Sequence, residues 1–347
     1  MPRRTGTTPW AWAGLFVAAT VGGSLLRSLL GSRFDFRKKA VLITGGSRGL
    51  GLEIARLLAQ EGAWVAIAGR NTETLATAKT ELEKHASRVL EIPCDVRQQE
   101  QVQAAVDETV RNFGRIDVLI NDAGIIQVGP FETMTLEDFE NAMATHAWGP
   151  LYAIRAVFPH MRQQGGCRIV NVSSIAGKIA VPHLLPYVIS KFALAGLSEG
   201  LQAEVARYGI HVTTVYPGLM RTGSHVNARF KGRNQREFAW FSIAAGLPLL
   251  SINAARAARQ IVEACRNGRK QLIITPAARL AVLAHAVTPE LFDRSLQWTD
   301  AVLPSAGSSP DGKSHTGWES GSWLSPSPLT RLADEAVDRN NERTEAS

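Results

Sequence analysis

Ala40-Val41-Leu42-Ile43-Thr44-Gly45-Gly46-Ser47-Arg48-Gly49-Leu50-Gly51 is the stretch whose reading decides the fold of this chain. Ala40–Ile43 is an unbroken apolar run, short enough for a strand buried on both faces. Leu50–Glu61 reads as a helix, with Ile54, Leu57 and Leu58 on one face. Between them the glycines let the backbone turn sharply and come close to a pyrophosphate. The first turn of the helix then offers free N–H groups and the positive end of a dipole. A glycine-rich turn by itself can be purely structural; its position between strand and helix is what points to a nucleotide.

Outward from this turn, strands and helices alternate. Strands are expected at Trp64–Ala68, Val89–Ile92, Val118–Asn121, Arg168–Val172, His211–Tyr216 and Leu272–Thr275. Helices are expected from a cap at Asn71 or Thr72 toward His85, then over Gln98–Phe113, Thr135–Met161, Pro186–Arg207 and Asn253–Arg266. The order predicts an α/β fold, a Rossmann-type doubly wound parallel sheet of about seven strands with helices on both faces. The implied organisation is an N-terminal segment at 1–36, a catalytic domain at 37–276 with a substrate-loop region at 219–250, a helical extension at 277–303 and a tail at 304–347. That tail is rich in Ser, Pro and Gly and is expected to be disordered apart from a frayed helix near Leu329–Asn340.

The 347 residues carry a formal charge of +7, with 45% hydrophobic and 20% charged residues, which excludes a wholly disordered or fibrous chain. The charge is uneven: residues 1–39 hold seven Arg or Lys and one Asp, and the tail from Pro304 is net acidic. No basic run interleaved with aromatics suggests a nucleic-acid partner. Cys94, Cys167 and Cys265 have neither disulfide nor zinc-ligand spacing, so no metal is expected. Trp10–Leu26 is free of charge, follows Arg3 and Arg4, and precedes Arg27, Arg33, Arg37, Lys38 and Lys39. It stands at the short limit for a membrane span of about 17–25 residues. A membrane anchor is the expectation, with the catalytic domain on the cytoplasmic side by the positive-inside rule. A cleaved signal peptide and a packed or floppy N-terminal helix are the rival readings.

Two further constellations carry chemistry. The second strand ends at Gly69-Arg70-Asn71, where an acidic residue would suit the ribose 2′-hydroxyl of NAD. Arg70, together with Arg48 in the turn, instead suits a 2′-phosphate, so NADP(H) is expected over NAD(H). Tyr187 and Lys191 are four apart on an expected helix and share a face. A neighbouring ammonium favours tyrosinate and is expected to lower the tyrosine pKa; such a group exchanges a proton with a carbonyl or alcohol oxygen. Ser174, at a strand end, is placed to hydrogen-bond the same oxygen.

These features, in this order over about Lys38–Thr275, resemble the short-chain dehydrogenase/reductase family in its common form of roughly 250 residues. Thr44-Gly45, three residues, then Gly49-Leu50-Gly51 resembles its cofactor turn, to which Ser47 and Arg48 also belong. Asp95-Val96 resembles its adenine contact. Asn121-Asp122-Ala123-Gly124 resembles its Asn-Asn-Ala-Gly motif, with Asp122 in place of the second Asn. Pro217-Gly218 through Thr222 resembles the segment that closes over the nicotinamide. Ser174, Tyr187 and Lys191 fall on the family's catalytic Ser, Tyr and Lys, and the resemblance implies that Lys191 also holds the nicotinamide ribose. His146 stands where the family has an Asn that helps hold a water, and two readings stay open: it holds a water or relays a proton, or it is a packed helix residue.

The resemblance implies hydride transfer between a nicotinamide and a small carbonyl or secondary alcohol, in a protein commonly a homo-oligomer. The apolar run Phe238–Ile243 with Leu247–Leu250 suggests a lipophilic substrate, against ordinary core packing or membrane contact. His183 is either a substrate contact or a loop histidine without a role. The competing functional readings are a dinucleotide-binding module with little turnover and a membrane-attached interaction protein working through its tail.

Overall fold

The structure is a computed structural model that describes residues 33–248, 250–307 and 313–343. The chain divides into two units, Met1–Asp35 and Phe36–Ser347. The expected anchor Trp10–Leu26 lies outside the described residues, and among the described residues no helix is long and apolar enough to cross a membrane.

Seven strands form the central sheet: β1 (Ala40–Thr44), β2 (Trp64–Gly69), β3 (Val89–Pro93), β4 (Val118–Asn121), β5 (Arg168–Val172), β6 (His211–Tyr216) and β7 (Gln271–Ile273). All pairings are parallel, in the order β7-β6-β5-β4-β1-β2-β3. The intervening helices are α1 (Gly49–Gln60), α2 (Thr72–Leu82), α3 (Gln99–Phe113), α4 (Leu136–Met143), α5 (Gly149–Gln164), α6 (Leu185–Val205), α7 (Asn234–Gly246) and α8 (Ala254–Arg266).

The strands are apolar runs because both faces are covered. Ala40, Leu42, Ala66, Ala68, Leu119, Ile169 and Val212 pack with Val102 and Val106 of α3 and Ile154 and Val157 of α5. The alternate residues Val41, Ile43, Val65 and Ile67, fully buried as well, point to the opposite face. α1 packs against α8. The spacing of Ala254, Ala257, Ala258, Ile261, Val262 and Cys265 puts their buried side chains on one face of α8, and Asn253 caps it by accepting from the N–H groups of Ala255 and Arg256.

The chain runs outward from β1 to β3 and then returns to β4 on the other side of β1. The β1–β4 crevice is thus the point where strand order reverses, and ligands of open parallel sheets bind at such points. Asp122–Gly124, which follow β4, face the Gly45 turn across it.

Beyond β7 a helical hairpin, α9 (Pro276–Val287) and α10 (Pro289–Val302), leaves Leu280, Leu283, Val287, Leu291, Trp298 and Val302 exposed. The described residues of the tail depart from the expected disorder, with a helix standing where a frayed one is expected near Leu329–Asn340. His315–Thr316 pairs antiparallel with Arg229–Phe230, and α11 (Arg331–Arg339) buries Ala333, Ala336 and Val337. The composition argument fails because this segment builds no core of its own. It lays short apolar faces on the domain: Leu329–Thr330 comes against Gly246, and Val337 against Gly223, closely enough that a Cβ on either glycine would lie under 3 Å from tail backbone.

Candidate active site

The glycine turn is held backbone to backbone. Gly45 has φ +74°, its N–H donates to the Ala68 carbonyl at 2.8 Å, and a Cβ there would lie 2.8 Å from Cα of Ala123. A Cβ on Gly51 would lie 2.3 Å from the Gly45 carbonyl oxygen. Thr44 Oγ1 accepts from the N–H groups of Asp122 and Ala123 at 3.3 and 3.4 Å. Leu50 is buried on the first turn of α1. This is the cradle a dinucleotide requires, and a carboxylate, that of Glu342, already stands in it: its Oε1 would lie 2.8 Å from a Cβ on Gly49, and its Oε2 is 3.6 Å from Arg48 Nε. An anion at this helix terminus is the chemistry a pyrophosphate would exploit.

The remaining expected cofactor residues divide into two groups. Arg70 lies among cations: desolvation lowers its pKa, Asp95 opposes that, and Arg97, Arg48 and Arg229 lower it further. Asp95 is chelated by Arg97 at 2.6–3.0 Å, which holds its carboxyl below the usual range, and Val96 is buried beside Gly149. Asn71 serves α2, its side chain accepting from Thr74 N–H at 2.8 Å. Ser47 Oγ accepts from Thr74 Oγ1 at 3.3 Å. Asn121 is turned into the sheet, where its amide donates to Asn171 Oδ1 at 2.8 Å; Asn171 in turn donates to Ser198, which bonds Thr214. Pro217 accepts from Ile175 N–H, Gly218 lies against Thr275, and Thr222 Oγ1 donates to Ser224.

Ser174, Tyr187 and Lys191 are brought together. Ser174 lies two residues beyond β5, capping the Ile175–Gly177 turn by accepting from Ala176 N–H at 3.1 Å; its side chain also hydrogen-bonds Tyr187. Lys191 donates to the Val172 carbonyl at 2.9 Å, and its ammonium lies 5.5 Å from the Tyr187 ring centroid. The expected lowering of the tyrosine pKa by this ammonium is not what the structure gives. Burial pushes Tyr187 up to about 12, with the Ser174 hydrogen bond pulling it back. The reason is position: Lys191 is committed to a main-chain carbonyl, and burial lowers its own pKa. Tyr187 is therefore protonated at neutral pH, the form that donates to a carbonyl oxygen.

Asp122, where the family motif has its second Asn, is the residue that sequence reasoning passed over. Burial pushes its carboxyl up, while Lys191 and the Gly51 N–H pull it down. It thus ties the glycine turn electrostatically to Lys191. The motif departure was the available signal.

His146 lies in a π-helical turn, Ala144–Trp148, between α4 and α5, with its ring edge-on to Tyr187 at 5.3 Å. Ser190 Oγ donates to the Tyr187 carbonyl at 2.9 Å, so it accepts from His146 Nδ1–H at 2.8 Å. Nε2 is then the unprotonated nitrogen and accepts from Ile125 N–H at 3.1 Å. Both nitrogens are used in packing, which favours the packed reading over a water holder or relay. A Cβ on Gly124 would lie 3.2 Å from this Nε2, so the motif glycine makes room for the ring.

His183, at φ +62°, is bonded through Nδ1 to Glu237 at 2.9 Å, and Trp240 Nε1 donates to the same carboxylate at 2.6 Å. His183 thus fastens α7 to the loop before α6. Phe238 and Phe241 belong to the core with Phe230, Leu184 and Val188, against which Ile126, Val181, Trp240 and Tyr187 pack. Among the described residues no group of three or more His, Cys, Asp or Glu gathers to hold a metal ion.

A crevice at the sheet's switch point, a glycine turn and a Ser-Tyr-Lys group define a dinucleotide-binding oxidoreductase. The model of the short chain dehydrogenase family matches residues 39–231, and the chain belongs to that family. It is 39% identical over 182 residues to 3-ketodihydrosphingosine reductase of Bos taurus, a match covering 51% of this chain and 55% of that protein. The chain thus spans about half the length of that relative. It is 30% identical over 272 residues to the ketoacyl reductase HetN of Nostoc sp., covering 76% of this chain and 90% of that protein. The solved structure of L-sorbose reductase from Gluconobacter frateurii, complexed with NADPH and L-sorbose, superposes with a TM-score of 0.62 at 25% identity, covering 70% of this chain and 97% of that one.

Burial lowers the pKa of His146 well below 6.5, with Lys191 contributing in the same direction. A depressed folded-state pKa means that the unfolded chain binds the extra proton first, so stability is full above about pH 6.5 and falls as pH drops from there toward the folded value. Chemical denaturation from pH 7.5 to 5 is expected to show this loss, at up to about 1.4 kcal/mol per pH unit from this one group. In His146→Asn that part of the slope should vanish. An unchanged slope contradicts the buried neutral ring.

Proposed function

We propose that the chain is an NADP(H)-dependent oxidoreductase that moves a hydride between the nicotinamide and the carbon of a carbonyl or secondary alcohol. The observation that carries this reading is the joining of Ser174, Tyr187 and Lys191 just beyond β5, beside the glycine turn. When bound, the nicotinamide supplies the hydride for reduction or takes it up in oxidation. Tyr187 gives its hydroxyl proton to the substrate oxygen in reduction and recovers it in oxidation. Ser174 hydrogen-bonds the same oxygen and steadies the tyrosine. Lys191 holds the nicotinamide ribose and, as burial favours its neutral form, loses and regains a proton at modest cost.

NADP(H) is favoured by the gathering of Arg48, Arg70, Arg97 and Arg229, a field suited to a 2′-phosphate, and by the NADPH of the L-sorbose reductase complex. A lipophilic substrate is supported by the apolar cluster of Leu184, Val188, Phe230, Phe238 and Phe241, against which Tyr187 packs, and by the 3-ketodihydrosphingosine named in the Bos taurus relative. Membrane attachment through Trp10–Leu26, with the catalytic domain on the cytoplasmic face, completes the reading and rests on the charge pattern of residues 1–39. Homo-oligomerisation is carried to the exposed Leu185, Ile189 and Phe192 of α6.

Tyr187→Phe removes the hydroxyl and keeps the ring. Carbonyl-dependent NADPH oxidation is expected to fall about 100-fold or more, with NADPH affinity nearly unchanged. A variant within about tenfold of the parent removes Tyr187 from the acid/base role.

Arg70→Ala is expected to weaken NADPH binding about 10- to 100-fold, measured by nucleotide fluorescence, and to leave NADH binding within about twofold. Equal losses for the two nucleotides count against a 2′-phosphate contact.

For the attachment, the full chain should sediment with membranes and stay there in 1 M salt, at which the Debye length is about 3 Å and purely electrostatic adhesion is screened. Recovery in the supernatant, or a mature N-terminus beyond residue 26, refutes it.

A further inference from the structure

The groups expected to hold the dinucleotide phosphates are engaged by the chain's own C-terminus. After α11 the backbone carbonyl of Asn340 accepts the Gly49 N–H at 2.9 Å, at the first residue of α1. The Asn340 side chain donates to the Thr222 carbonyl at 2.9 Å, on the segment expected to close over the nicotinamide. Asn341, at φ +56°, donates to the carbonyls of Ser47 and Thr74 at 2.9 and 3.0 Å, tying the glycine turn to the start of α2. Glu342 is 2% exposed. Its carboxylate lies over Gly49 and beside Arg48, and it accepts from Asn227 Nδ2 at 2.8 Å.

The segment has its own seating. Ala333, Ala336 and Val337 are buried, Asp334 bonds His225 at 3.1 Å, and Arg56 donates to the Arg339 carbonyl at 2.9 Å. A Cβ on Gly223 would lie 2.7 Å from Cα of Val337, so helix and loop meet backbone to backbone. These contacts hold α11 independently of Asn340–Glu342, and they aim those residues into the crevice.

A carboxylate in this position is a poor resident. Burial pushes the Glu342 carboxyl up, and Arg48, Asn227 and His225 only offset this. A dianionic pyrophosphate offers Arg48 and the helix N-terminus more charge than one carboxylate does. Glu342 and a phosphate group cannot both stand over Gly49.

Resting on the dinucleotide reading above, we propose that residues 331–343 are an intramolecular competitor of the cofactor: α11 docks the segment, Asn340–Glu342 occupy the phosphate end of the crevice, and NADP(H) binds by displacing them. The apparent affinity for the nucleotide is then the intrinsic affinity multiplied by the fraction of undocked chains. Anything that holds α11 off the domain raises that fraction, so the tail sets how much nucleotide is needed to load the enzyme.

The test compares three proteins by NADPH and NADH titration, read by nucleotide fluorescence. They are the full chain, a chain ending at Thr330, and Val337→Asp in the full chain. The last puts a charge into the seating of α11 and replaces no residue whose side chain lies in the crevice. Truncation and V337D are both expected to tighten NADPH binding about tenfold or more. Hydrogen exchange on the full chain should show residues 331–343 losing protection when NADPH saturates it, while Gly49–Gly51 gain protection. Equal affinities in the three proteins overturn the proposal and leave the dinucleotide reading standing. So does weaker binding by the truncated chain, or a tail that stays protected at saturation. Failure of all three to bind either nucleotide overturns both.

Discussion

The contact on which this structure depends is the meeting of two backbones at the β1–β4 crevice. Gly45 and Ala123 approach so closely that no side chain fits between them, and Gly51 comes back onto the Gly45 carbonyl from the helix side. Sheet twist and strand order bring the ends of β1 and β4 together; the glycines allow them to touch. Thr44 closes the seam by accepting from Asp122 and Ala123. Once the seam is set, much of the site follows. Asp122 is aimed at Gly51 and Lys191, Gly124 at His146, and the first turn of α1 opens into the crevice.

The second constraint is electrostatic. Lys191 and His146 are buried and Asp122 and Tyr187 partly so, and desolvation moves each toward its neutral form. The histidine takes that course fully, with a hydrogen bond for each nitrogen. Lys191 and Asp122 restrain one another, so the lysine keeps access to both protonation states near neutrality. The tyrosine keeps its proton because nothing nearby stabilises tyrosinate more than burial disfavours it. On the proposed reading, such a site is poised as an acid first in reduction, with Lys191 as the group through which the proton would be replaced.

Much of the fold was legible because it is written in local pattern. The apolar run Ala40–Ile43, the glycines after it and the alternation that follows each demand one geometry, and they agree with one another. The grouping of Ser174, Tyr187 and Lys191 was legible through the helical spacing of the last two and the strand end that carries the first. What was not legible depends on contacts across the fold. That Lys191 bonds the Val172 carbonyl, and so does little to lower the tyrosine pKa, cannot be read from a four-residue spacing. Asn121 sits in a motif associated with the cofactor, yet its side chain serves a polar ladder inside the sheet, because β4 and β5 pair Asn121 with Asn171. Whether His146 was relay or packing turned on Ser190 and Ile125, neither of which the sequence marks.

The tail is the largest departure, and its cause is general. Composition measures whether a segment can bury its own apolar surface, not whether another surface is waiting for it. Here the waiting surface includes glycines: Gly223 and Gly246 each leave room for tail backbone to approach, and Gly317 of the tail lets it come against His225 and Val226. Around them Phe230, Phe238 and Val226 are already buried, so the tail needs only Ala333, Ala336 and Val337 to extend an existing core. The period of those three residues was present in the sequence within a run otherwise dominated by charge. Its significance lies in what lies ahead of it: a helix so seated delivers Asn340 to the Gly49 N–H and Glu342 to Arg48, groups that the glycine turn would offer a phosphate, while Asn341 ties the turn to α2 through carbonyls. A turn built to accept anions without regard to their source will accept one from its own chain whenever the geometry of the domain supplies it.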